Sequence, residues 1–158
     1  STLHTNNAPE TITRLSDMGM EPFSFSDALL GVLAQRLTRR LCDGCKEEYD
    51  ASDAEFAEFS SYLGQEVLSR LSGPGPMRLF RTQGCVECDS TGYRGRVALH
   101  ELLVNNDETR EAIQRRATTG ELRSLAENHG MRTLLQDGIV KCLQGLTDLK
   151  QVLAVCSR

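Results

Sequence analysis

The hydrophobic pattern of the chain predicts a mostly helical protein with a few short strands. Asn7 is a suitable N-cap for a first helix, because Pro9 fits the first turn and apolar residues recur every three positions up to Met18. Gly19 can end that helix. A second helix is predicted from Ser26, on leucines at three- and four-residue steps that lead into the first cysteine: Leu29, Leu30, Leu33, Leu37 and Leu41.

The rest of the pattern alternates helices with extended segments. Ser52 and Glu55 form an S-x-x-E capping box before a helix, and Thr118 and Glu121 form a T-x-x-E box before another. Alternating Gly and Pro at 72–76 predict a loop. The other predicted elements are helices at 66–71, 107–117, 119–129, 133–143 and from 147 onward, strands at 77–80 and 96–104, and a turn at 92–95.

Four of the six cysteines form two C-x-x-C pairs, Cys42 with Cys45 and Cys85 with Cys88, separated by the 39 residues 46–84. Two such pairs typically complete a tetrahedral four-thiolate shell for zinc, which leaves no open position for a substrate. The pattern therefore predicts a structural zinc site. Disulfides and a thioredoxin-like redox pair remain as alternatives.

Composition narrows the class of protein further. The 158 residues carry a net charge of −4, which argues against non-specific nucleic-acid binding, since such proteins are normally basic. No apolar run approaches the roughly 20 residues that a membrane-spanning helix needs, so direct membrane insertion is not expected. The chain begins at Ser1 without an initiator Met, and we expect it to be part of a longer protein.

Three stretches resemble the assembly ATPases of type II secretion and type IV pili. The first is 1–8, STLHTNNA, followed by 33–45, LAQRLTRRLCDGC. The second is 92–103, GYRGRVALHELL, directly after the second cysteine pair. The third is 138–141, GIVK, with GLT at 145–147. These stretches are spread from residue 1 to residue 147 in the family's order and spacing, so the resemblance covers nearly the whole chain.

This resemblance implies an α+β fold that is predominantly helical. Residues 1–40 would be the end of a RecA-like P-loop ATPase core, 41–104 a tetracysteine zinc subdomain, and 105–158 a C-terminal helical bundle. It also implies a hexameric, cytoplasmic parent enzyme that uses ATP and Mg²⁺ and acts on an inner-membrane platform protein. Expected partners are the upstream core, neighbouring subunits and that platform protein, with no nucleic acid.

Two residues take possible nucleotide roles from the same resemblance. His4 corresponds to the family's histidine box and would lie at a strand end near the γ-phosphate, with Thr5 and Asn6 beside it. Arg36 would face the nucleotide or an adjacent subunit. The alternatives are a surface histidine and a solvated cation at a helix end. Arg94 and Arg96 could pair with Asp89 or Glu101, or donate N–H groups to the zinc-bound sulfurs, or lie in a plain surface turn.

The 158 residues contain no G-x-x-x-x-G-K-[ST] motif, which phosphoryl transfer by this fold requires. We therefore expect the fragment alone not to hydrolyse ATP, although the parent protein would. Residues 1–40 are expected to be poorly anchored without upstream strands. The rival hypothesis is a free-standing, zinc-stabilised interaction or regulatory module.

Overall fold

The computed structural model describes residues 2–156, so Ser1 of the histidine stretch and the last two residues of the predicted helical bundle lie outside it. The described part contains eight helices and four strands. The helices are α1 (Ala8–Asp17), α2 (Pro22–Ala28), α3 (Asp53–Leu63), α4 (Gln65–Ser72), α5 (Asp107–Gln114), α6 (Thr119–Asn128), α7 (Leu134–Leu143) and α8 (Leu149–Cys156). The strands are β1 (Gly31–Leu41), β2 (Lys46–Asp50), β3 (Arg78–Thr82) and β4 (Tyr93–Val104). This mixed helix and strand content confirms the α+β class, and most predicted helices are present within a few residues of their expected ends.

The chain divides into two compact units, each built from two separate segments. Unit 1 comprises residues 1–35 and 100–134, and unit 2 comprises residues 36–99 and 135–158. The strands form two two-stranded sheets, β1 with β4 and β2 with β3. Of the three division points along the chain, one falls inside β1, one inside β4 and one at the start of α7. The predicted three-segment organisation of 1–40, 41–104 and 105–158 remains a hypothesis about the whole protein.

Unit 1 has one contiguous hydrophobic core. Segments from both ends of the unit contribute to it, because α1, α2 and β1 supply side chains alongside β4, α5 and α6. The buried members are Ala8, Ile12, Phe25, Val32, Leu103, Ala112, Ile113, Ala117, Leu122, Ala126 and Met131. The expectation that residues 1–40 would be poorly anchored is therefore wrong for 8–32. Their packing partners lie downstream in this chain, where sequence patterns alone did not connect them.

The predicted helix from Ser26 to Leu41 is wrong, because a short helix, α2, ends at Ala28 and the extended strand β1 follows. In a strand the side chains alternate between two faces. Val32 and Thr38 on one face are buried, whereas Leu33 and Leu37 on the other are 58% and 49% exposed. The leucine spacing that suggested a helix therefore belongs largely to an exposed strand face. Residues 2–7 contain no strand, which corrects the expected strand end at His4.

Unit 2 is built around the antiparallel pair β2 and β3, of which the sequence pattern predicts β3, at 77–80, but not β2. Lys46 pairs with Thr82 and Asp50 with Arg78 at the two ends of this pair. The predicted capping box is confirmed, since Ser52 Oγ accepts the N–H of Glu55 at 3.3 Å and the Glu55 carboxylate accepts the N–H of Ser52 at 2.8 Å.

The loop between α7 and α8 is bonded to the strand that leads into the first cysteine pair. The Leu41 N–H donates to Leu146 O at 3.0 Å, and Thr147 Oγ1 donates to Arg39 O at 2.8 Å. Thr38 Oγ1 donates to Gln151 O at 2.8 Å, one turn into α8. The GLT stretch at 145–147 thus holds the end of β1 in unit 2.

Candidate metal centre

The cysteines lie in two loops that the β2–β3 pairing brings to the same end of this sheet. Cys42 and Cys45 occupy the turn between β1 and β2, and Cys85 and Cys88 occupy the connection from β3 to β4 around a 3-10 turn at Val86–Cys88. Because β2 starts where β3 ends, opposite Thr82, each loop emerges beside the other. The antiparallel pairing of β2 with β3 therefore brings together two cysteine pairs that lie far apart in the sequence.

The four sulfurs form a compact cluster whose dimensions suit a tetrahedral metal site. All four Sγ atoms lie within 4.8 Å of one another. Three of the Sγ–Sγ distances, Cys42 to Cys85, Cys45 to Cys88 and Cys85 to Cys88, are each 3.8 Å. Zn–S bonds of about 2.3 Å give a tetrahedron with an S–S edge of about 3.8 Å, so the cysteines fit such an ion.

The same distances exclude the disulfide alternative in this structure. A disulfide requires an S–S separation of about 2.05 Å, far shorter than the 3.8 Å distances between these sulfurs. The structure also disfavours a thioredoxin-like redox pair, which would lie at the start of a helix after a strand. Cys85 precedes a 3-10 turn that ends at Cys88, and this turn lies between the strands β3 and β4. The four-thiolate cluster is the arrangement that remains.

Backbone N–H groups point at the sulfurs and favour their anionic form. Cys88 Sγ accepts the N–H groups of Cys85 and Gly92, each at 3.2 Å. The N–H of Gly44 donates to Cys42, and that of Gly84 donates to Cys45. Hydrogen bonds of this kind orient metal ligands and tune their charge.

Gly84 and Gly92 are required by the backbone around the cluster. Their φ angles are +86° and +80°, in the left-handed region that side chains disfavour. A Cβ on Gly84 would lie 2.6 Å from Ser90 O, and one on Gly92 would lie 2.2 Å from Thr82 Oγ1. The two glycines therefore allow the close approach that aims their N–H groups at sulfur.

The cysteine pKa values separate because their surroundings differ. Burial raises the pKa of Cys42, and burial together with hydrogen bonding to Cys88 raises the pKa of Cys45 to about 12. The N–H groups of Cys85 and Gly92 outweigh burial at Cys88 and lower its pKa to about 6. A divalent cation at the centre would stabilise all four thiolates and remove the cost of holding them together.

Charged side chains next to the cluster pair locally rather than with the sulfurs. Asp43 accepts from Arg40 at 2.8 Å and from Lys46 at 2.6 Å. Arg94 pairs with Glu87 at 3.1 Å, a partner that the alternatives for Arg94 and Arg96 did not include. Among the described residues the metal-ligand cluster contains the four cysteines and not His100, which belongs to unit 1.

The two remaining cysteines lie outside the cluster. Cys142 is buried, as expected of a small apolar side chain, and burial raises its pKa. Cys156 is half-buried near the end of α8.

His129 is confirmed as the residue that ends α6, and its Nε2 lies 3.0 Å from Glu108 Oε2.

His4 lies exposed in the irregular segment before α1, which hydrogen bonds tie to that helix. Thr5 Oγ1 lies 2.7 Å from Thr11 Oγ1, and the N–H of Asn6 donates to Glu10 Oε2 at 3.0 Å. The predicted N-cap is confirmed, since Asn7 Oδ1 accepts the N–H of Glu10 at 2.9 Å. The segment is thus anchored immediately after His4.

Arg36 lies in β1 and is half-buried, so it is not the helix-end cation of the alternative hypothesis. His4 belongs to unit 1 and Arg36 to unit 2. The proposed contacts of His4 and Arg36 with nucleotide therefore stay predictions.

Sequence reasoning missed the buried carboxylate of Glu101. Its Oε1 accepts the N–H of Ala8 at 2.7 Å, and its Oε2 accepts the N–H of Leu134 at 3.1 Å. A signal was present, because Glu101 falls in the alternating register of Leu99 and Leu103, which are both buried in β4.

None of the helices within residues 2–156 combines the length and apolar character needed to cross a bilayer.

Comparison with known proteins identifies relatives over almost the entire chain. The family described as type II/IV secretion system protein matches residues 1–154. The type IV pilus assembly ATPase PilB of Thermus thermophilus is 48% identical over 154 residues, which are 98% of this chain and 16% of that protein. Type II secretion system protein E of Pseudomonas aeruginosa is 44% identical over 98% of this chain and 29% of its own length. Type II secretion system ATPase E of Vibrio cholerae is also 44% identical, with the same two coverages. The chain spans less than a third of each of these relatives.

Proposed function

We propose, since this chain belongs to the type II/IV secretion system protein family, that it is the C-terminal part of an ATPase that powers pseudopilus or pilus assembly. The observation that carries the proposal is the 48% identity to the PilB ATPase over 98% of the chain. The free-standing module is not favoured, because these relatives match the chain as a segment of much longer proteins.

In this proposal the cysteine cluster binds one zinc ion with a structural role. Its support is the 3.8 Å sulfur spacing and the N–H groups aimed at sulfur. Four thiolates complete the coordination shell, so the ion would hold the loops of unit 2 together rather than activate water. Cys42, Cys45, Cys85 and Cys88 are the proposed ligands.

ATP and Mg²⁺ would be bound by the whole protein, and the 158 residues alone would not hydrolyse ATP. The 158 residues contain no phosphate-binding G-x-x-x-x-G-K-[ST] loop to hold the phosphates. His4 would act as a catalytic residue that senses the γ-phosphate or its attacking water. Arg36 would contact nucleotide or a neighbouring subunit.

The proposed partners follow from the family. The chain would join an upstream ATPase core and neighbouring copies in a cytoplasmic hexamer, and the hexamer would act on a platform protein at the inner membrane. Motion driven by ATP would thereby reach the membrane machine without direct membrane insertion of this segment.

A chimeric enzyme tests the proposal. The matching segment of Thermus PilB is replaced by this chain, and ATP turnover is measured by phosphate release on the assembled protein. We expect turnover within about tenfold of the parent, because the exchanged segments are 48% identical. The isolated 158 residues, assayed in parallel, should release no phosphate.

An assembled chimera without turnover would contradict the proposal, and turnover by the isolated chain would contradict the inactivity of the fragment.

A further inference from the structure

Glu101 is a carboxylate held inside unit 1. It is 3% exposed, on the face of β4 that also carries Leu99 and Leu103. Glutamate is almost never fully buried unless its oxygens are satisfied, because removing a charged group from water is costly. The burial of Glu101 among leucines therefore calls for strong partners.

Its two oxygens meet the first N–H groups of two helices. Oε1 accepts from Ala8, where α1 begins, at 2.7 Å, and Oε2 accepts from Leu134, where α7 begins, at 3.1 Å. The first N–H groups of a helix have no partner inside the helix, and that end carries a partial positive charge. The Glu101 side chain supplies one acceptor oxygen to each of these two N–H groups.

The bond to Ala8 fixes the segment that contains His4. Thr5, Asn6 and Asn7 are bonded to α1 itself, and these bonds would move with the helix. The Glu101 bond instead joins residues 93 positions apart, and so fixes the start of α1 on β4. Loss of that bond would leave the start of α1 held by apolar packing alone, through Ala8 and Ile12, and residues 4–7 would follow any shift of its first turn.

We propose that Glu101 is a positioning residue for His4, acting through the N–H of Ala8. The inference rests on the proposed role of His4 in ATP turnover. Glu101 itself touches no nucleotide in this account. Its contribution is to keep the segment 4–7 in one orientation, so that the imidazole of His4 meets the phosphate in a fixed geometry.

Glu101→Gln is the discriminating variant. A glutamine has nearly the same shape, but one of its two acceptor oxygens becomes an NH₂ donor that faces an N–H donor. One of the two helix starts must then lose its partner. Glu108→Gln is the matched control, because Glu108 is also hydrogen-bonded, in its case to the His129 side chain, yet lies exposed.

Nuclear magnetic resonance on the zinc-loaded 158-residue chain gives the first readout. In Glu101→Gln we expect the amide of Ala8 or Leu134 to exchange with solvent at least tenfold faster, and the ring signals of His4 to shift when the bond to Ala8 is the one lost. The amide of Ile113, in the core of unit 1, should keep its protection. Unchanged exchange at both amides, faster exchange at Ala8 with unchanged His4 signals, or an equal loss of protection at Ile113 would overturn the proposal. Where only Leu134 exchanges faster, Ala8→Pro decides.

Ala8→Pro removes the same bond from the other partner and gives a second, independent test. Because Ala8 is fully buried, the Ile113 amide is followed in this variant too and should keep its protection. Proline is tolerated at the first position of a helix and has no N–H to donate. The His4 signals should shift in the same direction as in Glu101→Gln. Opposite or absent shifts in this variant would contradict the assigned route through Ala8.

Turnover by the chimeric ATPase gives the second readout. Glu101→Gln should lower kcat at least tenfold with KM for ATP nearly unchanged, whereas Glu108→Gln should alter neither. An active chimera whose kcat survives Glu101→Gln refutes the positioning role. A chimera that is inactive before any substitution counts against the proposed function, and the His4 and Ala8 signals then decide the role of Glu101 independently.

Discussion

Unit 1 and unit 2 hold their folds together by different means. Unit 1 buries one contiguous apolar cluster drawn from six helices and strands that the sequence separates by up to about 120 residues. Unit 2 also buries apolar side chains, but it adds four cysteines at one end of the β2–β3 pair. Because a metal binds only the folded arrangement of thiolates, unit 2 alone should depend on metal.

Metal removal should produce the largest difference in stability between the two units. A strong chelator, or Cys85→Ser, removes a binding free energy on the order of 10 kcal/mol in structural zinc sites. We expect amides of β2 and β3 to lose protection in hydrogen-exchange mass spectrometry, while those of α5 and α6 stay protected.

Cys156→Ser is the control for this experiment, and added zinc should restore the protection. Equal loss of amide protection in both units, or no loss after verified metal removal, would contradict the conclusion that unit 2 alone depends on metal.

A core truncation should produce the complementary effect. Ile113 is fully buried in the apolar cluster of unit 1, so Ile113→Ala should destabilise that unit by about 2–5 kcal/mol. Chemical denaturation measures the loss, and metal content should stay the same. Leu30→Ala is a suitable control, because Leu30 is exposed. Release of zinc from a folded Ile113→Ala protein would show that the apolar cluster of unit 1 and the metal site of unit 2 do not stabilise their units independently.

The two capping boxes allow a matched and smaller perturbation. Thr118 caps α6 in unit 1 and Ser52 caps α3 in unit 2, each with a reciprocal glutamate. Alanine at either cap should cost about 1 kcal/mol. Hydrogen exchange should increase near α6 in Thr118→Ala and near α3 in Ser52→Ala. Faster exchange in both units from either variant would contradict the independent stabilisation of the two units.

Arg94→Ala should have the smallest effect. Arg94 pairs with Glu87 beside the second cysteine pair, but both side chains are largely exposed. Exposed ion pairs contribute about 0–1 kcal/mol. Thermal stability and zinc content should therefore change little. A clear loss of zinc in this variant would assign Arg94 a role in the metal site.

The cysteine cluster and the helix starts were predictable because their signals are local. Two C-x-x-C pairs need only short turns to aim their thiolates, and the capping boxes act within three residues. The segment 26–41 was not predictable in the same way. Leu33 and Leu37 repeat at helical spacing, yet the strand is set by its pairing with β4, far along the chain.

Glu101 illustrates the same limit at the level of a site. Its position among alternating leucines marked it as unusual, but its partners Ala8 and Leu134 are 93 and 33 residues away. Hydrogen bonds of such separation follow from tertiary packing and leave no motif in the sequence. The long-range contacts are therefore what the structure adds.

The most direct test of the account is metal content together with thiol reactivity on the native chain. Elemental mass spectrometry should find about one zinc per chain, as a closed four-thiolate site requires. Of the six cysteines, half-buried Cys156 should react first and buried Cys142 slowly, while the other four react only after chelation. A metal-free protein whose four clustered thiols react as fast as Cys156 would contradict the zinc site, and with it the proposed dependence of unit 2 on metal.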